Sequence, residues 1–187
     1  MRSILTAVCL AAAIAAQGCA ASRHADGVSC HENADAPYTL GSGDRLRVIV
    51  YGQDSLSNSY SVDGAGNISM PLIGVVRAGG QTTQALARTI EQRYGSKYLR
   101  DPKVSAEVEA YRPFFILGEV TTPGQYPYVN GITVETAVAI AGGFTPRAAK
   151  SSAVVSQTVE GCTAHDKVPM TQPVRPGDTI TIRERFF

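Results

Sequence analysis

Glycine-bearing turns recur along the chain, at Gly41-Ser42-Gly43-Asp44, Asp63-Gly64-Ala65-Gly66, Gly79-Gly80, Pro123-Gly124, Gly142-Gly143 and Arg175-Pro176-Gly177-Asp178. Proline sets φ at the first corner of a turn and glycine accepts positive φ, so each cluster can reverse the chain. The apolar segments left between them are brief. They suit a fold of many short strands with little helix.

Arg45 to Val50 alternates as a strand, with Leu46, Ile49 and Val50 available to a core. Tyr60 to Val62 and Asn67 to Met70 are two more strands flanking Asp63–Gly66, which reads as a hairpin turn. Pro71 to Val76 continues that sheet. The period then lengthens: Leu86, Ile90 and Tyr94 recur at helical spacing after Thr82, a predicted N-cap, and Gly95 is placed to end the helix. Val104, Ala106 and Val108 return to strand alternation, which closes a first α+β unit over 38–111.

A second unit is expected over 112–187. Phe114-Phe115-Ile116-Leu117 reads as a buried strand, Gln125 to Val129 as its return, and Thr133 as the cap of a short helix over Val134–Ala141. Ser152–Thr158 and Lys167–Met170 are a strand pair joined through a turn that holds Cys162, and Thr179–Ile182 is the last strand. Two strands, a helix and further strands resemble a β-grasp arrangement. The predicted fold class is thus α+β, a small mixed-sheet unit followed by a β-grasp-like one.

The N-terminus points to secretion. Arg2 precedes an apolar run from Ile4 to Ala16, and small residues follow at Gly18-Cys19-Ala20-Ala21-Ser22, the layout of a signal peptide over 1–18. The run is shorter than the ~20 residues a membrane-spanning helix needs. Ala16-Gln17-Gly18-Cys19 is similar to a bacterial lipobox, which makes Cys19 a candidate lipidation site and 19–37 an anchor and tether. Ordinary cleavage beside Cys19 is the alternative. Cys30 and Cys162 form a candidate disulfide in an oxidising compartment, closing a loop of 132 positions (162 − 30), with two unpaired thiols as the alternative.

Charge and chemistry exclude several classes. Loss of Arg2 with the leader leaves 16 of the 17 basic side chains against 16 acidic ones, without a basic stripe, so nucleic acid is not an expected partner. The three histidines are His24 and His31 in the tether and His165 near a predicted turn, and no metal-binding or nucleophile motif surrounds them. No metal or cofactor is called for. Glu107 and Glu109 share a strand face about 7 Å apart, a spacing inverting glycosidases can use. A solvated face is the commoner meaning of such a pair, and the chain has no tryptophan platform for sugar. A non-enzyme is expected.

The ordered series Tyr38-Thr-Leu-Gly-Ser-Gly-Asp-Arg-Leu-Arg-Val, Val62-Asp-Gly-Ala-Gly-Asn-Ile-Ser-Met-Pro-Leu-Ile-Gly and Asp101-Pro-Lys-Val resembles the polysaccharide export domain of bacterial capsule and exopolysaccharide exporters. Ile116-Leu-Gly-Glu-Val-Thr-Thr-Pro-Gly-Gln-Tyr, Thr133 to Gly143, and Val174-Arg-Pro-Gly-Asp-Thr-Ile resemble the soluble-ligand-binding β-grasp domain that follows it. Each motif alone is turn chemistry plus apolar alternation. Their joint order covers nearly all of the chain after the leader.

The resemblance implies a periplasmic or outer-membrane protein that forms a homo-oligomeric ring, gives polysaccharide an exit path and meets an inner-membrane polysaccharide co-polymerase. It is closest in kind to the short exopolysaccharide-type members. The final Arg183-Glu184-Arg185-Phe186-Phe187 directly follows the last strand, so the chain is not expected to line a membrane pore alone. The turns Glu119–Gln125 and Ala141–Pro146 are expected to sit together, with Glu119, Gln125 and Phe144 as candidate contacts to a neighbouring subunit or to glycan. Plain turn-making is the competing role for those residues. For the whole chain, a monomeric carbohydrate-binding or scaffold module is the competing function.

Overall fold

A computed structural model describes residues 37–159 and 162–185. Cys19, Cys30, His24, His31 and Phe186-Phe187 lie outside the described residues, as do the expected leader, lipid anchor and nearly all of the tether. The class is α+β, organised as two units that each enclose a hydrophobic core.

In the first unit β1 (Arg45–Val50) is the centre of an antiparallel sheet, with β2 (Asn58–Ser61) on one side and β5 (Val104–Ala110) on the other. Strict alternation buries Leu46, Val48 and Val50, so Val48 rather than Ile49 joins the core. A second antiparallel pair is made by β3 (Asn67–Met70) and β4 (Gly74–Arg77). This corrects the expected hairpin. Asp63–Gly66 does form a turn, with Asp63 Oδ1 accepting from the backbone N–H of Ala65 and Asn67 at 2.9 and 2.8 Å. Its flanking strands, however, diverge, β2 to β1 and β3 to β4. Pro71 to Ile73 is accordingly a reversal and not sheet, with Leu72 at φ 67° and Gly74 at φ 67°.

Helix α1 (Thr83–Lys97) lays Leu86, Ile90 and Tyr94 against this core, all three fully buried. Thr82 Oγ1 caps it by accepting from Ala85 N at 3.2 Å. The helix does not stop at Gly95. It runs two residues further and ends where Tyr98 and Leu99 N both donate to Tyr94 O. A Cβ at Gly95 would meet Pro102 Cδ at 3.5 Å, an ordinary contact.

The second unit is a five-stranded sheet in the order β7-β6-β10-β8-β9, from β6 (Phe114–Gly118), β7 (Gly124–Tyr126), β8 (Ser152–Val159), β9 (Cys162–Pro169) and β10 (Thr179–Ile182). The central pair, β6 and β10, is parallel and the others are antiparallel, so this is the mixed sheet of the molecule. Helix α2 (Val134–Ile140) is capped by Thr133 and buries Val134, Ala137 and Val138 in the second core. This order with a parallel centre is the β-grasp arrangement.

Among the described residues, only one face of that sheet is covered. Phe114 and Ile116 are buried, whereas Phe115 and Leu117 point the other way and are 39% and 47% exposed. The expectation of a strand buried on both faces is thereby corrected. Cys162 opens β9 and is not in the connecting turn, and its proposed partner Cys30 lies outside the described residues. His165, expected in a loop, stands in β9 opposite Ser156, with its Nδ1 2.7 Å from Ser156 Oγ. Among the described residues no helix is long and apolar enough to cross a membrane, which says nothing of strands that might.

Candidate functional site

Two regions carry the polar geometry. The first joins the two units. Gly41-Ser42-Gly43-Asp44 leads into β1 and Arg175-Pro176-Gly177-Asp178 leads into β10, and the two turns are built alike. In each, the aspartate backbone N–H donates to the carbonyl three residues back at 3.2 Å, and the aspartate carboxylate accepts that residue's N–H at 2.8 Å. In each, glycine at the third position has φ near 90°, Gly43 at 92° and Gly177 at 88°. A non-glycine residue would be strained there.

Arg112, two residues before β6, fills the space between these turns. Its backbone N–H donates to Asp44 Oδ1 at 2.9 Å, and its Nη1 lies 3.4 Å from Asp44 Oδ2. Its Nε donates to the carbonyl of Pro176 at 3.0 Å, and its Nη1 also donates to Tyr38 Oη at 3.0 Å. Tyr38 Oη in turn donates to Asp44 Oδ2 at 2.6 Å. Asp44 is fully buried, so these donors replace the water its carboxylate has lost. Burial, then the hydrogen bond to Asp44, pushes the Tyr38 phenol far above its ordinary range against the opposing charge of Arg112. Asp178 is also raised, first by burial, while the Arg175 N–H and the Gln157 amide hold it back.

Glycine at Gly41 and Gly177 makes the fit possible. A Cβ on Gly41 would overlap Arg112 Nη1, and one on Gly177 would come within 2.8 Å of Arg112 Nε. Tyr38, Tyr111 and Tyr128 extend the junction as an edge-to-face series with centroids 5.0 and 5.4 Å apart. The cleft beside Arg112, Gln157 and Asp178 has about 70 Å³ of room, enough for two waters at ~30 Å³ each and too little for a sugar ring. The junction therefore acts as a joint. The sequence reading missed it, although the paired Gly-Asp turns were its visible signal.

The second region is the pair of turns expected to meet, and they do. Thr121 N donates to Gly143 O and Thr122 N to Ala141 O, both at 2.9 Å, while Val120 and Phe144 form an isolated bridge. Glu119 Oε2 accepts from Thr145 Oγ1, and Lys150 Nζ lies 6.0 Å from the centroid of the half-buried Phe144 ring. Glu119 and Phe144 are thus brought together. Gln125 stands elsewhere, exposed on β7 opposite Phe115.

Glu107 and Glu109 are exposed on β5, with the geometry of a solvated face. Among the described residues no group of three or more metal-ligating side chains occurs. A recess of about 550 Å³ opens beside β5, walled by Tyr38, Tyr111, Ala106, Glu107 and the first turn of α1.

Residues 32–109 match the family described as polysaccharide biosynthesis/export protein, and residues 113–173 match the SLBB domain. The chain is 37% identical over 156 residues to the exopolysaccharide production protein ExoF of Rhizobium meliloti, covering 77% of this chain and 34% of that protein. It is 27% identical over 158 residues to the EPS I polysaccharide export outer membrane protein EpsA of Ralstonia nicotianae, covering 66% of this chain and 41% of that one. Against the polysialic acid transport protein KpsD of Escherichia coli it is 27% identical over 111 residues, 58% of this chain and 20% of KpsD. The chain therefore spans well under half the length of these relatives. With both matched segments in the same order as the two cores, the chain belongs to the polysaccharide biosynthesis/export protein family.

Proposed function

We propose that this chain takes part in exporting exopolysaccharide or capsular polysaccharide across the outer membrane, as one subunit of a ring on its periplasmic face. The observation that carries the reading is the tandem match of export and SLBB segments in one chain, together with the likeness to proteins named for exopolysaccharide production and export. Conduction of a neutral or weakly charged polymer needs a polar path and weak repeated contacts, not a catalytic constellation. The balanced charge and the hydroxyl- and amide-rich turns suit that role.

In this reading residues 1–18 are the leader, Cys19 carries the lipid, 19–37 is the tether, and the units over 38–111 and 112–187 are the export and SLBB domains. Glu119, Gln125 and Phe144 contact a neighbouring subunit or the glycan, and an inner-membrane polysaccharide co-polymerase delivers the polymer. Cys30 and Cys162 pair in the oxidising periplasm.

Deleting the gene and measuring polymer inside and outside the cell tests the function. Loss of external polymer, restored by the intact gene, supports export. Normal external polymer in a strain without a paralogue removes it, and a monomer that binds glycan tightly would replace it with the scaffold reading. Replacing Glu119 and Gln125 together without change in assembly or export would reduce those turns to structural corners.

A further inference from the structure

The reversal between β3 and β4 exposes what a folded chain usually hides. Leu72 sits at φ 67°, a left-handed conformation that costs a branched residue about 1–2 kcal/mol. It is 58% exposed, so burial within this chain does not offset that strain. Val75 and Tyr98 beside it are 59% and 47% exposed. Leu72 and Tyr98 share one shallow hollow with Arg93 and Lys97, and Arg93 Nη1 donates to Val75 O at 2.6 Å. Tyr94 Oη, from inside the core, donates to Pro71 O at 3.0 Å and fixes the reversal in place. The result is a held apolar tip with a basic rim.

The recess beside β5 has the opposite character. It is concave, about 550 Å³, apolar at Ala106, Val108 and the tyrosine rings, and carries Glu107, with the exposed Arg47 of β1 opposite it in register. Glu109 is exposed two residues further along the same strand. Strand β5 is also the edge of its sheet.

The two features occupy opposite ends of one helix. Thr83 and Gln84, in the first turn of α1, line the recess, and Ser96 and Lys97, in its last turn, line the hollow at the tip. Fifteen residues at ~1.5 Å each separate them by about 22 Å. A two-fold contact would set either patch against itself, Lys97 and Arg93 against their own copies, or Glu107 against Glu107. Like charges oppose the contact of tip on tip, whose hollow holds Arg93 and Lys97 and no carboxylate. Joining tip to recess brings Lys97 to Glu107 and is a head-to-tail contact, which closes into a ring where the rotation between copies closes.

We propose that the Leu72–Tyr98 tip, with Lys97, seats in the Ala106–Glu107–Tyr111 recess of a second copy of this chain. This rests on the ring-forming reading above and names its interface. Leu72 then buries the side chain that its backbone strain presents, and Lys97 meets Glu107 across the rim.

The test uses the full-length chain in its own envelope, with a photoreactive phenylalanine analogue at position 72. Illumination is expected to give a ladder of covalent oligomers, with position 72 joined to peptides from residues 104–111 of another copy. Lys97→Glu and Glu107→Lys should each lower the oligomer fraction about ten-fold, and the two together should restore it. Oligomers that cross-link elsewhere, that join position 72 to another protein, or that ignore both charge reversals overturn this interface and leave the ring reading standing. A chain monomeric in every membrane and detergent preparation overturns the ring reading itself.

Discussion

The backbone N–H of Arg112 donates to Asp44 Oδ1 at 2.9 Å, so the chain just before β6 is bound by a buried carboxylate that precedes β1. The same carboxylate holds its own turn through Gly41 N and receives the Tyr38 hydroxyl. One side chain thus organises a turn, an aromatic and the boundary between two cores. Removing it as Asp44→Ala strands these donors together with the Arg112 guanidinium. Breaking a buried pair costs ~3–5 kcal/mol, and the lower end, about 3, applies because the Arg112 side chain is 27% exposed. Urea unfolding checks this. The same experiment on Arg112→Ala, which keeps the backbone bond to Asp44 but loses the guanidinium contacts to Asp44, Tyr38 and the Pro176 carbonyl, should lower and broaden the transition as the two cores become less tightly linked.

Gly118 lies where β6 runs parallel to β10, at φ 86°, and a Cβ there would overlap the carbonyl oxygen of Ile182. That carbonyl accepts the N–H of Glu119 at 3.0 Å. Gly118→Ala combines a left-handed strain with a backbone clash and should cost about 3 kcal/mol, lowering Tm by about 6–12 °C. Gly124→Ala is the control, because nothing lies within 4 Å of its Cβ direction. Calorimetry of the two variants should separate them clearly.

Tyr38, Tyr60, Tyr94 and Tyr128 are all raised above the ordinary phenol value, each first by burial. The folded chain then keeps protons that the unfolded chain releases near pH 10. Stability is full below that pH and falls as pH rises through it. Alkaline titration followed at the phenolate absorbance should show Tyr38, Tyr60, Tyr94 and Tyr128 ionising late, together with unfolding. Tyr38→Phe should blunt the alkaline loss and cost about 1–2 kcal/mol at neutral pH through its missing hydrogen bond to Asp44.

Leu72→Asn separates stability from assembly. Asparagine tolerates positive φ better than leucine, so the isolated chain should gain up to about 1 kcal/mol in thermal or urea unfolding. If the tip is the subunit contact, the same variant should form fewer oligomers. A gain in stability with unchanged assembly would detach the strain from the interface.

Much of the architecture was legible in the order of residues. The turns followed from Pro and Gly placed where φ must be set or reversed. The long helix followed from Leu86, Ile90 and Tyr94 at helical spacing, and the short one from the Thr133 cap. These are local properties, fixed within a few residues of backbone, so a sequence carries them directly. The meeting of the Glu119 and Ala141 turns was likewise readable, because a hairpin and a helix end on the same small sheet have few places to go.

Pairing and placement were decided only by the tertiary structure. Asp63–Gly66 looks like a hairpin, yet β2 goes to β1 and β3 to β4, because a turn sets where the chain reverses and not which strand offers an open edge. Phe115 and Leu117 read as core, but α2 packs on the opposite face of the sheet, where Phe114 and Ile116 lie. Gly95 reads as a helix stop, yet the helix runs on to Lys97. The Arg112–Asp44 joint links positions 68 apart, and the tip and recess each draw on strand and helix residues distant in the chain. Such contacts depend on which surfaces meet after two cores have formed, and neighbouring residues along a sequence hold no record of that.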